Sequence, residues 1–194
     1  SSWRGKVQVL GFPVLLPGGP VPAHEGVRCV FCGSLYPTLR EPDFTLELFT
    51  ALNAPDLTLT MAGRGWEPFE AAAQRALGVL GARFVRPGLL PPEKAAELEI
   101  GADILLSLGN AFDNQMPSKL FSYLGTGKPL LHLAVTDTDP TLPYLAKYPL
   151  ALVLHKKNGV TPEVVDTLRR WLTDVQGQCL PYAQVAALYP EFTP

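Results

Sequence analysis

A proline and a lysine in the segment 114–129 are the strongest candidates for chemistry in this sequence. Pro117 is typical of the first turn of a helix, where a backbone N–H has no partner to lose. Lys119 follows in the same turn, although a cation at this end is unfavourable for the helix itself. Because unpaired N–H groups at a helix start attract anions, the pattern predicts that Lys119 neutralises a bound anion. A solvated lysine is the alternative.

The segment Gly63-Arg64-Gly65 is a second candidate for phosphate binding. It follows a predicted strand and precedes a predicted helix, where a glycine-rich turn lets a phosphate approach the backbone. Pro68 occupies the third glycine position of the dinucleotide pattern G-x-G-x-x-G, so that pattern is not met. A tight turn would explain the two glycines equally well.

The spacing of Cys29 and Cys32 invites a redox or zinc interpretation. Both lie in an apolar run, however, and strand residues three apart point to opposite faces. No second pair of Cys or His accompanies them. We therefore interpret both as core thiols, and we expect all three cysteines, including Cys179, to react slowly because burial raises a thiol's pKa.

The remaining polar and aromatic residues indicate less. We interpret His132 and His155, within and after predicted strands, as structural histidines. Asp137 and Asp139 resemble a metal pair only by residue type, because the residues between them predict a turn. Two aromatic residues in predicted loops could stack on a ligand or cover the core, namely Tyr36 and Trp66.

Short apolar runs alternate with helical periods from residue 27 onward. The predicted strands are 27–32, 57–62, 82–86, 103–108, 130–134 and 150–154. The predicted helices are 43–53, 68–80, 92–100, 117–124, 142–147 and 162–175. This alternation predicts βαβ units in a mainly parallel sheet. Because the strands are apolar throughout, both faces of the sheet should be covered by helices.

Six such strands suggest the doubly wound order, in which the first and fourth strands are neighbours. That order brings together the loops 33–40 and 109–116, and we expect the ligand cleft between them. We interpret residues 1–26 as a linker or interdomain remnant, and 27–194 as one domain whose carboxy-terminal helix is truncated.

Composition excludes several classes of protein. Of the 194 residues, 47% are hydrophobic and 18% charged, which predicts a packed globule. A net charge of −2 without a basic stripe argues against nucleic acid as partner. No apolar run approaches the roughly 20 residues of a membrane span, and the first residues lack the apolar core of a secretory signal. We expect a cytoplasmic protein, with the inner membrane face as a possible location.

Four segments in order resemble the carboxy-terminal domain of glycosyltransferases of family four and their relatives. They are the strand and glycine turn 30–35, the strand and G-x-G 59–65, the Ala-Asp strand 102–106, and the helix 117–123 followed by 127–129. The likeness covers residues 27–135. It implies one half of a GT-B fold, a Rossmann-like doubly wound sheet with helices on both faces.

The resemblance also implies a function. Such a domain binds a nucleoside diphosphate sugar without a required metal, and the sugar passes to an acceptor held by an amino-terminal domain. The acceptor would be a glycan, a lipid or a cell-surface polysaccharide of a bacterium, and the transferred group a hexose. Positive charge and backbone amides would stabilise the leaving diphosphate.

Carried onto this sequence, the resemblance implies three groups of contacts. Gly33, Ser34 and Arg40 would flank the diphosphate together with Lys119 and the Ser118 amide. Arg86 and Pro87 would border the base. The full set of implied donor-binding residues is Gly33, Ser34, Arg40, Gly63, Arg64, Gly65, Arg86, Pro87, Asn114, Gln115, Pro117, Ser118, Lys119 and Ser122.

One departure from the family pattern concerns the ribose. The family places two Glu eight positions apart, the second on the donor-site helix, whereas Asn114 and Ser122 stand at the matching positions here. The alternative function is therefore a degenerate, non-catalytic domain that serves as a binding or scaffold module. A nucleotide-dependent oxidoreductase is disfavoured, because Gly33-Ser34-Leu35 lacks the glycine pattern after the first strand.

Overall fold

A computed structural model describes residues 15, 17–18, 23–113, 115–117 and 119–193. The described chain forms one six-stranded sheet in the order β3-β2-β1-β4-β5-β6, with all neighbouring pairs parallel. The predicted doubly wound sheet is thus confirmed, including the adjacency of the first and fourth strands. The strands are β1 Val27–Cys32, β2 Leu57–Ala62, β3 Phe84–Val85, β4 Ile104–Leu108, β5 Leu130–Ala134 and β6 Ala151–His155.

Helices cover both faces of this sheet. They are α1 Asp43–Leu52, α2 Glu70–Leu80, α3 Pro92–Ile100, α4 Lys119–Gly125, α5 Leu142–Leu145, α6 Pro162–Val175 and α7 Tyr182–Leu188. Apolar residues of α1, α2 and α6 pack on one face. Residues of α4, α5 and α7, with part of α3, pack on the other. The strands are buried by both layers, which explains why their sequences are apolar throughout.

The two cysteines of β1 lie on opposite faces of the sheet, as their spacing predicts. Cys29 belongs to the core beside α1 and α2, whereas Cys32 belongs to the core beside α4. Both thiols are free and buried. Cys179 is also free, but it is exposed. The expectation that all three thiols are shielded was therefore wrong for Cys179, which lies after the turn that follows α6.

Differences from the predicted bounds fall at element ends. The third strand keeps only Phe84–Val85, because Gly81–Arg83 form a 3₁₀ turn that Gly81 enters with φ of 57°. The described part of α4 is Lys119–Gly125, and Pro117, where the sequence predicts the helix start, is not helical. Helix α7 was not predicted, although Pro181 precedes it and its Val185 is fully buried.

Described residues before β1 contact the rest of the domain. Leu15 is fully buried, and its N–H donates to the Phe192 carbonyl at 3.2 Å. The Tyr182 hydroxyl donates to the Leu15 carbonyl at 2.8 Å. None of the helices in the described part of the chain has the length and hydropathy of a membrane span.

Candidate functional site

The loops that follow β1 and β4 touch each other, as the strand order predicts. The side chain of Arg40 donates to the Asn110 side-chain oxygen from Nε at 3.0 Å and from Nη2 at 2.7 Å. The Ala111 N–H donates to the Leu39 carbonyl at 2.9 Å. Asn110 is buried and also reaches Gln115 at 3.4 Å. Arg40 therefore joins the two loops by hydrogen bonds at the point where the strand order reverses.

Arg40 still has N–H donors for a ligand while it bridges the two loops. Its third bond, from Nη1 to the Ser34 carbonyl, is long at 3.4 Å. A guanidinium has more N–H donors than these bonds use. Burial lowers the pKa of Arg40 from its ordinary value, but arginine remains charged at neutral pH. The Arg40 side chain is therefore a cation that is held in place, and some of its N–H groups remain available to a ligand.

Two adjoining cavities open at the carboxyl ends of the central strands. The β1/β4 cavity, about 260 Å³, is lined by apolar groups and by Arg40, Ser107, Gln115 and Lys119. The β1/β2 cavity, about 170 Å³, is lined by Ser34, Gly63, Leu89, Leu90 and Lys119 among others. Cys32, Gly33 and Lys119 line both. Ligands of doubly wound sheets bind at this edge.

Larger hollows lie at the opposite edge of the sheet, next to Val27. Their volumes are about 300 and 320 Å³. The first contains the pair His24–Asp103, at 3.3 Å. They adjoin the amino ends of the strands, whereas ligands of this fold bind at the carboxyl ends. Strand direction and the pair of cations therefore favour the smaller cavities as the candidate site.

Lys119 is paired within the protein. Its ammonium group contacts the Glu99 carboxylate of α3, which also accepts a hydrogen bond from the Tyr123 hydroxyl at 3.0 Å. The ammonium lies 5.7 Å from the centre of the Tyr123 ring. Burial, and then the charge of Glu99, raise the pKa of Tyr123 well above its usual range. Glu99, which the sequence did not single out, is thus the internal counter-ion of the candidate site.

The Gly63–Gly65 turn lies directly beside the loop after β1. The Gly33 N–H donates to the Ala62 carbonyl, and the Leu35 N–H to the Arg64 carbonyl, both at 2.9 Å. A Cβ on Gly63 would come within 1.7 Å of the Gly33 carbonyl oxygen. This close approach requires glycine whether or not a phosphate binds.

Some predicted site residues lie at the rim or outside the two cavities. Arg64 is exposed, and hydrogen bonds with Ser34 and Arg64 lower the pKa of the exposed Tyr36. Arg86 donates to Glu70 at 2.8 and 3.1 Å and stacks on Trp66, 5.1 Å from the ring centre. Pro87 and Ser122 are exposed. Asn114 and Ser118 are outside the described residues.

Trp66 and Ser122 have local partners. Trp66 packs edge-on against Phe84, with ring centres 6.1 Å apart, so it covers the core end of β3. The Ser122 hydroxyl donates to the Lys119 carbonyl at 2.8 Å, within α4. Neither residue lines the β1/β4 or the β1/β2 cavity.

Lys128, in the Gly-Lys-Pro segment after α4, has a structural role. It is buried, and its ammonium group donates to carbonyls at the end of α3: Glu99 at 2.9 Å, Ala102 at 2.8 Å, and Ile100. A cation at a helix carboxyl end is favourable. This contact holds α3, and therefore Glu99, against the strand pair β4–β5.

A buried series of hydrogen bonds next to Gly109 was missed by the sequence interpretation. Ser107 and His132 are register partners on β4 and β5, and the Ser107 oxygen lies 3.1 Å from His132 Nδ1. His132 Nε2 lies 3.0 Å from Asp139, which also accepts bonds from Thr141 at 2.7 and 2.9 Å. Asp139 is therefore a buried partner of His132.

Comparison with known proteins shows likeness of structure only. No protein-family model matches the chain, and no curated protein matches it significantly. The lipopolysaccharide galactosyltransferase WaaB matches with a TM-score of 0.57 and 17% identity, over 96% of this chain and 49% of WaaB. HepE of Anabaena, solved with UDP and glucose, matches at 0.54 and 9%, over 87% and 46%.

An enzyme of another class has the same likeness. A putative UDP-N-acetylglucosamine 2-epimerase from Listeria monocytogenes matches with a TM-score of 0.50 and 16% identity, over 84% of this chain and 43% of the epimerase. The chain thus spans about half the length of each of these structures. Its fold is that of one of the two halves of GT-B proteins.

Proposed function

We propose that this chain is the nucleotide-sugar-binding domain of a glycosyltransferase. The observation that carries the proposal is a pair of cations, Arg40 and Lys119, lining one cavity at the switch point of a doubly wound sheet. The fold shared with transferase halves supports it. The diphosphate would bind between the two cations, whose positive charge stabilises it as a leaving group. Because the protein supplies this charge, we propose no metal.

The two cations would contribute differently. Arg40 is held by Asn110 and Ser34, so its donors are positioned before a ligand arrives, which reduces the cost of ordering on binding. Lys119 has a flexible stem and must exchange the Glu99 carboxylate for a phosphate. Gly33, Ser34, Gln115, Pro117 and the Ser118 amide remain proposed neighbours of the diphosphate.

The base would occupy the β1/β2 cavity. Leu89 and Leu90, from the loop after β3, give it an apolar wall. Arg86 and Pro87, earlier in that loop, remain its proposed border, while Gly63, Arg64 and Gly65 form the turn opposite. The family resemblance implies that the ribose would lie near Asn114 and Ser122.

Titration of the protein with uridine, guanosine and adenosine diphosphates, and with the three nucleosides, tests this proposal. Lys119→Ala should weaken diphosphate binding by about 1–3 kcal/mol, the range for charge-assisted hydrogen bonds, and should leave nucleoside binding nearly unchanged. Lys147→Ala is the matched control, because Lys147 is exposed and lines neither cavity. Equal losses for nucleoside and diphosphate would contradict the proposed site.

A non-catalytic binding module is the second candidate. It is favoured by Ser122, which is uncharged and bonded within its own helix where the family resemblance implies a ribose-binding carboxylate. Ser122→Glu should then tighten nucleoside diphosphate binding by about one to two decades. Micromolar binding by the unaltered protein, unchanged by the substitution, would instead favour a complete donor site that holds the ribose with another group.

A further inference from the structure

The chain Ser107–His132–Asp139 connects the sheet interior to the β1/β4 cavity. His132 is fully buried and Asp139 is 4% exposed. Ser107 is the member that lines the cavity, between Leu106 and Leu108 at the end of β4. Because strand residues alternate, Ser107 shares the sheet face of Leu105, the face covered by α4.

The direction of the hydrogen bonds follows from Asp139. One of its oxygens accepts both the N–H and the hydroxyl of Thr141, and the other faces His132 Nε2. The Thr141 oxygen, whose proton goes to Asp139, also lies 3.2 Å from Nε2 and can only accept from it. Burial raises the pKa of Asp139, but the hydrogen bonds from His132 and Thr141 outweigh this and lower the pKa below its usual value. A carboxylate only accepts, so His132 Nε2 carries a proton.

A neutral imidazole with its proton on Nε2 leaves Nδ1 as an acceptor. The Ser107 hydroxyl, 3.1 Å away, must then donate its only proton to Nδ1. This bond leaves lone pairs free on the Ser107 oxygen, and they are available to a ligand because Ser107 lines the cavity.

We propose that His132 is held as the neutral ring with its proton on Nε2, so that Ser107 presents a fixed hydrogen-bond acceptor to the β1/β4 cavity and selects a ligand with a hydroxyl or N–H donor at that point. His132 and Asp139 act through Ser107 and are positioning residues. The class of ligand rests on the proposed function: the donor group would be a hydroxyl of the nucleotide sugar or an N–H of its base. A phosphate oxygen would be rejected there, because two acceptors would face each other.

Gly109 packs against the buried end of the hydrogen bonds that join Ser107, His132 and Asp139. Gly109 passes directly over Asp139, and a Cβ there would lie 2.7 Å from the carboxylate oxygen. The Gly109 N–H donates to the Leu133 carbonyl at 2.9 Å. Gly109 thus covers the buried end of these hydrogen bonds at Asp139, and among Ser107, His132 and Asp139 only Ser107 lines the cavity.

Nitrogen-15 NMR of histidine-labelled protein tests the polarity directly. The expected result is an unprotonated Nδ1 and a protonated Nε2 on His132 at neutral pH. A proton on Nδ1 would overturn the inference, whatever the protein binds. This measurement needs no ligand, so it is decisive even if nucleotide sugars fail to bind, a result that would count against the proposed function instead.

Calorimetric titration with UDP-glucose, GDP-mannose and ADP-glucose tests the ligand contact. For a sugar nucleotide that binds, Ser107→Ala should weaken binding roughly 2- to 10-fold, the range for a neutral hydrogen bond. Thr141→Val is the matched control: it removes a hydroxyl of the same buried chain that does not line the cavity. Its binding should stay within about twofold of the unaltered protein.

The same titrations distinguish the two sources of the donor group. If Ser107→Ala weakens the sugar nucleotide but not the matching nucleoside diphosphate, the acceptor contacts the transferred sugar. Equal losses for both place it against the nucleoside. If Ser107→Ala and Thr141→Val weakened binding equally, or if Ser107→Ala did not weaken it, the hydrogen bonds among Ser107, His132 and Asp139 would serve only to stabilise the fold. Either result would overturn the proposed ligand contact.

Discussion

Without a ligand, the ammonium group of Lys119 is already paired with the Glu99 carboxylate. Its pair with Glu99 is half-exposed, and such pairs contribute about 0.2–1 kcal/mol. A bound phosphate must displace this partner, so Glu99 competes with the proposed ligand. We predict that Glu99→Gln tightens nucleoside diphosphate binding by up to about fivefold, measured by calorimetric titration.

Glu97→Gln gives the matched control for that experiment. Glu97 lies on the same helix, is exposed, and pairs with Lys94 at 2.7 Å instead of with Lys119. The substitution removes the same charge from α3 and should leave the affinity unchanged. Equal tightening by both variants would mean that only the net charge of the domain matters, and weaker binding by Glu99→Gln would contradict competition.

The three cysteines should differ in reactivity by their burial. Burial raises the pKa of Cys29 far above its usual range, and burial together with the charge of Glu99 raises that of Cys32 to about 12. Since the thiolate is the reactive form, we predict one fast thiol in the folded protein, Cys179, and two more after denaturation. Thiol titration measures both, and Cys179→Ser should abolish the fast phase. Fast reaction of two or more thiols would contradict this.

The candidate site was only partly predictable at the level of residues. Lys119 and Arg40 could be found because each lies near a recognisable landmark, the proline before α4 and the glycine turn after β1. Ser107 and His132 carried a signal too, since each is the polar residue of an otherwise apolar strand. Their pairing needs the β4–β5 register. Glu99 was hidden because its contact with Lys119 joins two different helices.

Among the elements, the turns after β1 and β2 depend on each other. Gly63 has φ of 142° and Gly65 of 90°, and a Cβ on either would collide with the neighbouring backbone. We predict that Gly63→Ala lowers the free energy of unfolding by more than about 2 kcal/mol, because the strained backbone and the collision add. Urea denaturation measures this change.

Gly78 provides the comparison. It lies inside α2, and a Cβ there would meet nothing within 4 Å. Alanine at this helical position should raise the free energy of unfolding by roughly 0.5–1 kcal/mol. If Gly63→Ala were as harmless, the turn would have room to move, and its glycines would be better explained by a ligand that approaches the backbone.

Element types were easier to predict than element ends. β1, β2 and β5 have the predicted bounds, because long apolar runs between turn residues leave little choice. The edge strand β3 is short because it pairs only with β2 and enters from a 3₁₀ turn. Such ends are decided by pairing and packing rather than by local pattern.

At the scale of the whole molecule, the order of the strands sets the place of the site. Because β1 and β4 are neighbours and the strand order reverses between them, a crevice opens at their carboxyl ends, beside the point where Arg40 bridges the two following loops. Both cations and Ser107 reach this crevice from different elements. Because the site is assembled from several elements, a change in one helix would alter it less than a change in the order of the strands.

The proposed function predicts that this chain binds a sugar nucleotide but does not transfer its sugar. The chain spans about half of the solved structures it matches, so half of each has no counterpart in these 194 residues. Catalysis depends on holding donor and acceptor in a reactive geometry, which can contribute about 7–11 kcal/mol. A donor bound at the open edge of the sheet would have its sugar facing water and no fixed acceptor. Incubation with radiolabelled UDP-glucose, GDP-mannose or ADP-glucose and oligosaccharide or lipid acceptors should give binding without labelled product. Turnover above the uncatalysed background would show that the chain positions an acceptor by itself.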